Sequence, residues 1–271
     1  LGLNPQDLRT LKELTSKPYG MLLVTGPTGS GKTTTLYSIL SRLNSKEENI
    51  VTIEDPVEYR LPGINQSQVN PTIGVTFASG LRSMLRQDPN IIMVGEIRDA
   101  ETATISVQAA LTGHLVFTTL HTNDAPGAVT RLFDMGVKNY LISSSVIGVV
   151  AQRLVRTICR ACREPHTVDV RELCREFGLT SVKTGRAKVW RGRGCKYCSH
   201  TGYQGRVGVF EVMTLGENLR KAVIRGETSA AIRRLAVQEG MSTLRHSAFR
   251  KVVDGVTTLD EVRRAVFMGL D

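Results

Sequence analysis

Two groups of residues in this 271-residue chain have types and spacing suited to chemistry. The first is Gly26-Pro27-Thr28-Gly29-Ser30-Gly31-Lys32-Thr33, followed by Thr34, and it matches the eight-position pattern of a phosphate-binding loop. The glycines let backbone N–H groups from Gly29 to Thr33 turn inward around β- and γ-phosphate oxygens, at a helix N-terminus whose partial positive charge favours anions. Lys32 adds a mobile point charge and Thr33 a hydroxyl for Mg2+. The second group is Cys159-x-x-Cys162 with Cys195-x-x-Cys198, four thiols that make the full tetrahedral set for a closed structural Zn2+ site. The 32 residues between the pairs exceed the ~15 to 20 of compact ribbons, and an inserted helix over Val170 to Phe177 accounts for the excess. Cys174 lies within that helix and reads as a buried thiol, not a ligand.

A hydrolytic site also needs acids near the phosphate. The apolar run Ile50 to Ile53 ends in Glu54-Asp55-Pro56-Val57-Glu58, and Ile91 to Val94 ends in Gly95-Glu96-Ile97-Arg98-Asp99. Glu96 is positioned to hold Mg2+ through water or to polarise an attacking water, and Glu54 is a second candidate acid. His114 and His121 bracket the run Leu115 to Leu120, so His121 falls at its carboxyl end, where it is placed to donate to a γ-phosphate. Arg82, Arg86 and Arg98 lie in the same region. Arginines brace transferring phosphates within or across subunits, and beside a run of acids they also form structural ion pairs.

The elements that must position these groups are legible as alternating patterns. Asn4-Pro5-Gln6-Asp7 supplies a cap, a helix-start proline and an early acid for a helix reaching about Leu14. Strand-length apolar runs at 19–25, 50–53, 91–94 and 115–120 alternate with helical stretches at 32–43, 77–87 and 100–111. Such alternation requires a parallel sheet covered on both faces, so residues 1–150 are expected to form an α/β domain, with ligands beyond the carboxyl ends of the strands. Cysteines, glycines and basic residues then run to Glu211. We expect a tetracysteine subdomain over 151–212, returning to the core, and a helical subdomain over 213–271. Gly240 and Gly255 stand at helix ends, and Thr258 with Glu261 forms a capping box.

A hydrophobic content of 41% supports a packed core and excludes disorder. The longest apolar-rich stretch, Tyr140 to Gln152, is shorter than the ~20 residues that span a bilayer, and no signal segment opens the chain, which reads as soluble. It begins at Leu1 inside a helix-forming run and reads as a piece of a longer protein. Residues 1–150 hold 12 Lys and Arg against 13 Asp and Glu, whereas residues 151–271 hold 23 against 12, so the net charge of +10 belongs to the second half. That asymmetry suggests an acidic partner or simply a solvated surface.

The motifs GPTGSGKT, IEDPVEY from Ile53, GLRSMLRQDPNIIMVGEIRD from Gly80 and TGHLVFTTLHTNDA from Thr112 resemble the Walker A, aspartate, Walker B and histidine boxes of the type II secretion and type IV pilus assembly ATPases. AQRLVRTIC, the cysteine pairs and GYQGRVGVFEV from Gly202 extend the resemblance over essentially the whole chain. It implies a RecA-like P-loop ATPase, hexameric in the full-length protein, at the cytoplasmic face of the inner membrane. Its partners would be the platform protein and a cytoplasmic membrane-anchor subunit. The resemblance makes Lys32 and Thr33 the phosphate and Mg2+ ligands, Glu96 the Walker B acid, Glu54 the aspartate-box acid and His121 the γ-phosphate sensor. Arg82, Arg86 and Arg98 match arginines of the site or its subunit interface. Family members carry N-terminal domains, one of which lends arginines to a neighbour's nucleotide, so weak turnover is expected of this stretch alone. Retraction-type relatives lack the cysteines, which favours assembly. The alternative is a DNA-handling P-loop ATPase with a zinc ribbon. Against it, the basic half offers few aromatics for base stacking, chiefly Trp190, Tyr197 and Tyr203, and no nucleic acid is expected.

Overall fold

A computed structural model of the chain describes residues 1–178 and 185–267. Its main sheet contains β1 (Gly20–Thr25), β2 (Ile50–Glu54), β3 (Asn65–Gln68), β4 (Ile91–Val94), β5 (Leu115–Leu120), β6 (Val146–Ile158) and, after the short pair β7 (Arg163–Asp169) and β8 (Arg186–Gly192), β9 (Tyr203–Thr214). The spatial order is β3-β2-β4-β5-β1-β6-β9, and the pairings β3·β2, β2·β4, β4·β5, β5·β1 and β1·β6 are all parallel. Every residue of β1, β2, β4 and β5 is buried, as strands covered on both faces must be. Strand β3 is different. Its sequence, Asn-Gln-Ser-Gln, is polar and largely exposed, which suits an edge strand and left no apolar signal to read.

The helices follow their caps. Asn4 accepts from the Asp7 amide and opens the helix Pro5–Thr15; Gly31, at φ 86°, opens Lys32–Leu43; Asp99 accepts from the Thr102 amide and opens Ala100–Leu111. The helix expected over 77–87 stops at Met84. Val170–Phe177 is helical, closed by Gly178 at φ 65°. Only half of the expected capping box at Thr258 forms. Its hydroxyl accepts from the Glu261 amide at 3.1 Å, but the Glu261 carboxylate is drawn instead to Arg156 and Arg264.

By contact density the chain divides into two units. One comprises residues 4–152 and 211–241, the other 1–3, 153–210 and 242–271. The expected helical segment 213–271 is therefore split. Helix Glu217–Ile224 stays with the sheet because Arg220 donates to the carbonyls of Leu215, Ser143 and Val146, and helix Ser229–Gln238 does so through the Arg233–Asp124 ion pair. Helix Leu244–Val253 and the turn after it belong to the cysteine-bearing unit, where Gly255 leaves room for Trp190 and Arg163. Among the described residues no helix is long and apolar enough to cross a membrane.

In the sheet unit, a Cβ on Gly148 of β6 would stand 2.6 Å from Leu14 Cδ1 and 3.0 Å from the Met213 carbonyl. Gly148→Ala should therefore destabilise by about 1–3 kcal/mol, read as a lower urea midpoint. An unchanged midpoint would contradict this packing.

Candidate functional site

The loop Gly26–Gly31 leaves the carboxyl end of β1 and enters helix Lys32–Leu43. Gly26, Gly29 and Gly31 have φ of 149°, 78° and 86°, a backbone that side-chain-bearing residues rarely adopt. Lys32 folds back, its Nζ donating to the carbonyls of Gly26 at 2.9 Å and Pro27 at 3.2 Å. Ser30 is buried, and its hydroxyl has no hydrogen-bond partner among the described residues. Thr33 and Thr34 occupy the first turn of the helix.

In the sheet β1 is flanked by β5, and β5 by β4, so the residues following these strands meet at one edge. After β4, Gly95 donates to the Ile53 carbonyl at 2.8 Å and accepts from Thr119 Oγ1 at 2.7 Å, while Ile97 donates to the Thr119 carbonyl at 3.1 Å. A Cβ at Gly95 would press on the Ile53 carbonyl at 3.2 Å and Glu54 Cα at 3.3 Å, so glycine replaces the acid that often ends such a strand. The acid comes one residue later. Glu96 is mostly buried and binds Arg98 through one oxygen at 2.5 Å and His121 Nε2 through the other at 3.2 Å; Arg98 also lies 3.6 Å from Asp55. Burial works to raise the Glu96 pKa, but the hydrogen bond and charge of Arg98, with the facing His121, outweigh it and hold the carboxyl below its ordinary value. The same partnership raises Arg98. Because a carboxylate only accepts, His121 Nε2 carries the proton in this pairing.

His121 is itself anchored. Thr25 Oγ1 donates to the Leu120 carbonyl at 3.0 Å and accepts from the Thr122 amide at 2.9 Å. Asp124 then caps helix Ala125–Asp134 and pairs with Arg233, and the Ala125 amide donates to buried Glu211.

Glu54 stands apart from this cluster. It is 3% exposed, and its oxygens accept from Tyr37, from Thr52 at 2.5 Å and from Gln66 at 3.1 Å. Its carboxylate thus ties the helix that follows the loop to β2 and β3. Burial, then the bond to Glu54, raises the Tyr37 pKa. Arg82 pairs with Glu101, both exposed, and Arg86 lies just past helix Phe77–Met84. The residues that sequence reasoning missed include Tyr37, Thr119, Asp124, Gln152 and Glu211; Asp124 carried a readable signal, an acid before Ala125-Pro126, and the others are buried polar groups that no local pattern marks.

In the other unit the sulfurs of Cys159, Cys162, Cys195 and Cys198 all lie within 4.8 Å of one another. The pairs 159–195, 162–198 and 195–198 are 3.9, 3.8 and 3.7 Å apart. Four ligands ~2.3 Å from a tetrahedral ion have edges of ~3.8 Å, so the donor set fits zinc. Amides of Gly194, Cys195 and Gly202 point at these sulfurs at 3.2–3.3 Å, as they would at thiolates. Burial pushes the Cys162 thiol up to about 12; at Cys198 burial also acts upward, but the two amide donors outweigh it and bring the thiol to about 6. Cys174 is half-buried and outside the cluster, with no disulfide among the five.

Residues 1–264 match the family described as type II/IV secretion system proteins. The chain belongs to that family. It is 53% identical over 263 residues to the type IV pilus assembly ATPase PilB of Myxococcus xanthus, covering 97% of this chain and 46% of that protein. It is 50% identical over 264 residues to the type II secretion system protein E of Dickeya dadantii, covering 97% and 52%. A crystal structure of the pilus retraction motor PilT with bound ADP superposes with a TM-score of 0.71 at 28% identity, covering 97% of this chain and 65% of that one. This secretion-family chain spans about half the length of the curated relatives it matches.

Metal analysis should find about one zinc per chain, with only Cys174 reacting with a thiol reagent until a chelator removes the metal and exposes the other four. Five reactive thiols in the metal-containing, folded protein would contradict the tetrathiolate.

Proposed function

We propose that this stretch is the ATP-hydrolysing motor of a type II secretion or type IV pilus assembly machine, built on a RecA-like core. The carrying observation is the glycine-rich loop at the end of β1 with Glu96 and His121 hydrogen-bonded to each other after β4 and β5, of which β5 lies beside β1 and β4 one strand further along the sheet. Amides of Gly29 to Thr33 receive the β- and γ-phosphates, and Lys32 moves from the loop carbonyls to the phosphate oxygens. The Thr33 hydroxyl and a carboxylate fit a hard cation, and Mg2+ held there would neutralise charge on the phosphate oxygens. The partnerless Ser30 hydroxyl inside the loop is a group that a bound oxygen can satisfy.

Held below its ordinary pKa, Glu96 is ionised at neutral pH and a weak proton acceptor, so its part is to orient and polarise the attacking water by charge. His121 exchanges its Nε2–H between Glu96 and the γ-phosphate, which lets it report nucleotide state. Arg98 keeps Glu96 ionised; Arg82 and Arg86 serve the nucleotide or a neighbouring subunit. Glu54, whose carboxylate is taken up by Tyr37, Thr52 and Gln66, contributes by fixing the helix behind the loop.

The motor is a homo-hexamer in the full-length protein, cytoplasmic and peripheral to the inner membrane. Its movement drives the platform protein, next to a membrane-anchor subunit, to assemble pilin or pseudopilin subunits. The tetracysteine unit holds structural zinc, and the relatives at about 50% identity carry secretion and pilus-assembly names, which supports assembly over retraction. Family membership also favours this reading over a DNA-handling ATPase. Two of the three aromatics available for stacking are already covered, Trp190 by Arg163 at 4.0 Å and Tyr203 by Arg156 at 4.1 Å.

Lys32→Ala should weaken ADP binding about 10- to 100-fold in a calorimetric titration, the worth of a hydrogen bond to a charged group. Retained affinity would sink the loop assignment. Glu96→Gln in the full-length protein should bind ATP normally and turn over at least ~100-fold more slowly; unchanged turnover removes Glu96 from the role. Glu96 stays charged until pH falls below the ordinary glutamate range near ~4.3, so the acid limb of turnover lies low. Arg98→Met removes the lowering influence and should move that limb to higher pH; a fixed limb would contradict the pairing.

A further inference from the structure

Gln152 is a polar side chain, 1% exposed, at the end of the apolar run Val146–Ala151 in β6. A buried amide in such a strand is costly unless both of its ends are satisfied. Both are. Its Nε2 donates to the Ser30 carbonyl at 2.6 Å, and its Oε1 accepts from Thr35 Oγ1 at 2.8 Å. The Ser30 carbonyl can only accept, so the amide has one workable orientation, which the Thr35 hydroxyl locks. The β1–β6 register pairs Thr25 with Ala151, which sets Gln152 level with Gly26, the first residue of the loop. There the backbones touch: a Cβ on Gly26 would run into the Gln152 carbonyl oxygen.

We propose that Gln152 is a positioning residue that aims the main-chain amides of the phosphate loop. In a planar trans peptide the C=O and the following N–H point in opposite directions. Drawing the Ser30 carbonyl towards β6 therefore turns the Gly31 N–H the other way, out of the sheet and into the concavity of the loop. Thr35 extends the device into the helix, since its own amide donates to the Gly31 carbonyl at 3.1 Å while its hydroxyl steers Gln152. The two peptides on either side of Gly31 are thus held from behind, one by a side chain of β6 and the other by the first turn of the helix. This assignment rests on the reading of the loop as a phosphate site. It adds a residue outside the loop's own motif, on a strand that contributes none of the acids or histidines.

The test uses ADP and the zinc-loaded chain. Gln152→Met keeps length and burial but has no donor. It should bind ADP about 10-fold more weakly than wild type, the loss expected for one misdirected hydrogen bond to a charged ligand. The Gly31 amide proton, which ADP should shift strongly in the wild-type spectrum, should shift little in the variant, a signature that general loosening of the strand would not single out. Thr35→Val, which removes only the locking hydroxyl, should lose affinity about threefold, with a partial Gly31 shift, and it serves as the decisive variant if Gln152→Met does not fold. Wild-type affinity and a wild-type Gly31 shift in the folded variant overturn the role of Gln152 while leaving the phosphate loop standing. A wild-type chain that takes up no ADP overturns the loop reading and this assignment together.

Discussion

A main-chain amide can be offered to an anion only if the carbonyl behind it has somewhere else to go. That constraint organises the end of the sheet. Ser30 gives its carbonyl to Gln152, Gly26 and Pro27 give theirs to the Lys32 ammonium, and Pro27 also accepts from the Ser30 amide. With its carbonyl directed at β6, the Ser30–Gly31 peptide offers the Gly31 N–H to a ligand, while the Ser30 N–H is held by the Pro27 carbonyl and Pro27 has no N–H of its own. The glycines at 26, 29 and 31 make the backbone path possible, and at Gly26 the constraint is also one of space, because β6 passes directly behind it.

The same parallel order supplies the charged groups. Strands β4, β5 and β1 are consecutive in the sheet, so Glu96, His121 and the loop share one edge without any long side chain having to reach. Glu96 is then governed by a contest between burial and the cation beside it, which the cation wins, and its second oxygen fixes the tautomer of His121. The tetracysteine unit is held by a different principle. Four sulfurs at tetrahedral-edge spacing, with amides directed at them, form a donor set that suits a metal ion.

Much of this was legible in the chain. Apolar runs of strand length located β1, β2, β4 and β5, and the caps at Asn4 and Thr258 marked helix starts within a residue or two. The motif spacings gathered the loop, the Glu96–Arg98–His121 cluster and the four cysteines. What escaped has physical reasons. Strand β3 is a polar edge with no alternation, and β6 carries its buried glutamine at the point where the apolar pattern stops. The division of the C-terminal helices depends on single long-range ties such as Arg233 to Asp124, which no local pattern encodes. Glu54 sits where an acid was expected, but its partners Tyr37 and Gln66 come from distant segments, so its use as an anchor emerges only in three dimensions.

The most direct measurement is a crystal structure of the chain with a non-hydrolysable ATP analogue and magnesium. The account predicts the polyphosphate inside the loop, within hydrogen-bonding distance of the amides of residues 29–33, with Lys32 released from the Gly26 and Pro27 carbonyls and His121 turned from Glu96 towards the terminal phosphate. An analogue bound elsewhere, with Lys32 still on those carbonyls, would contradict it.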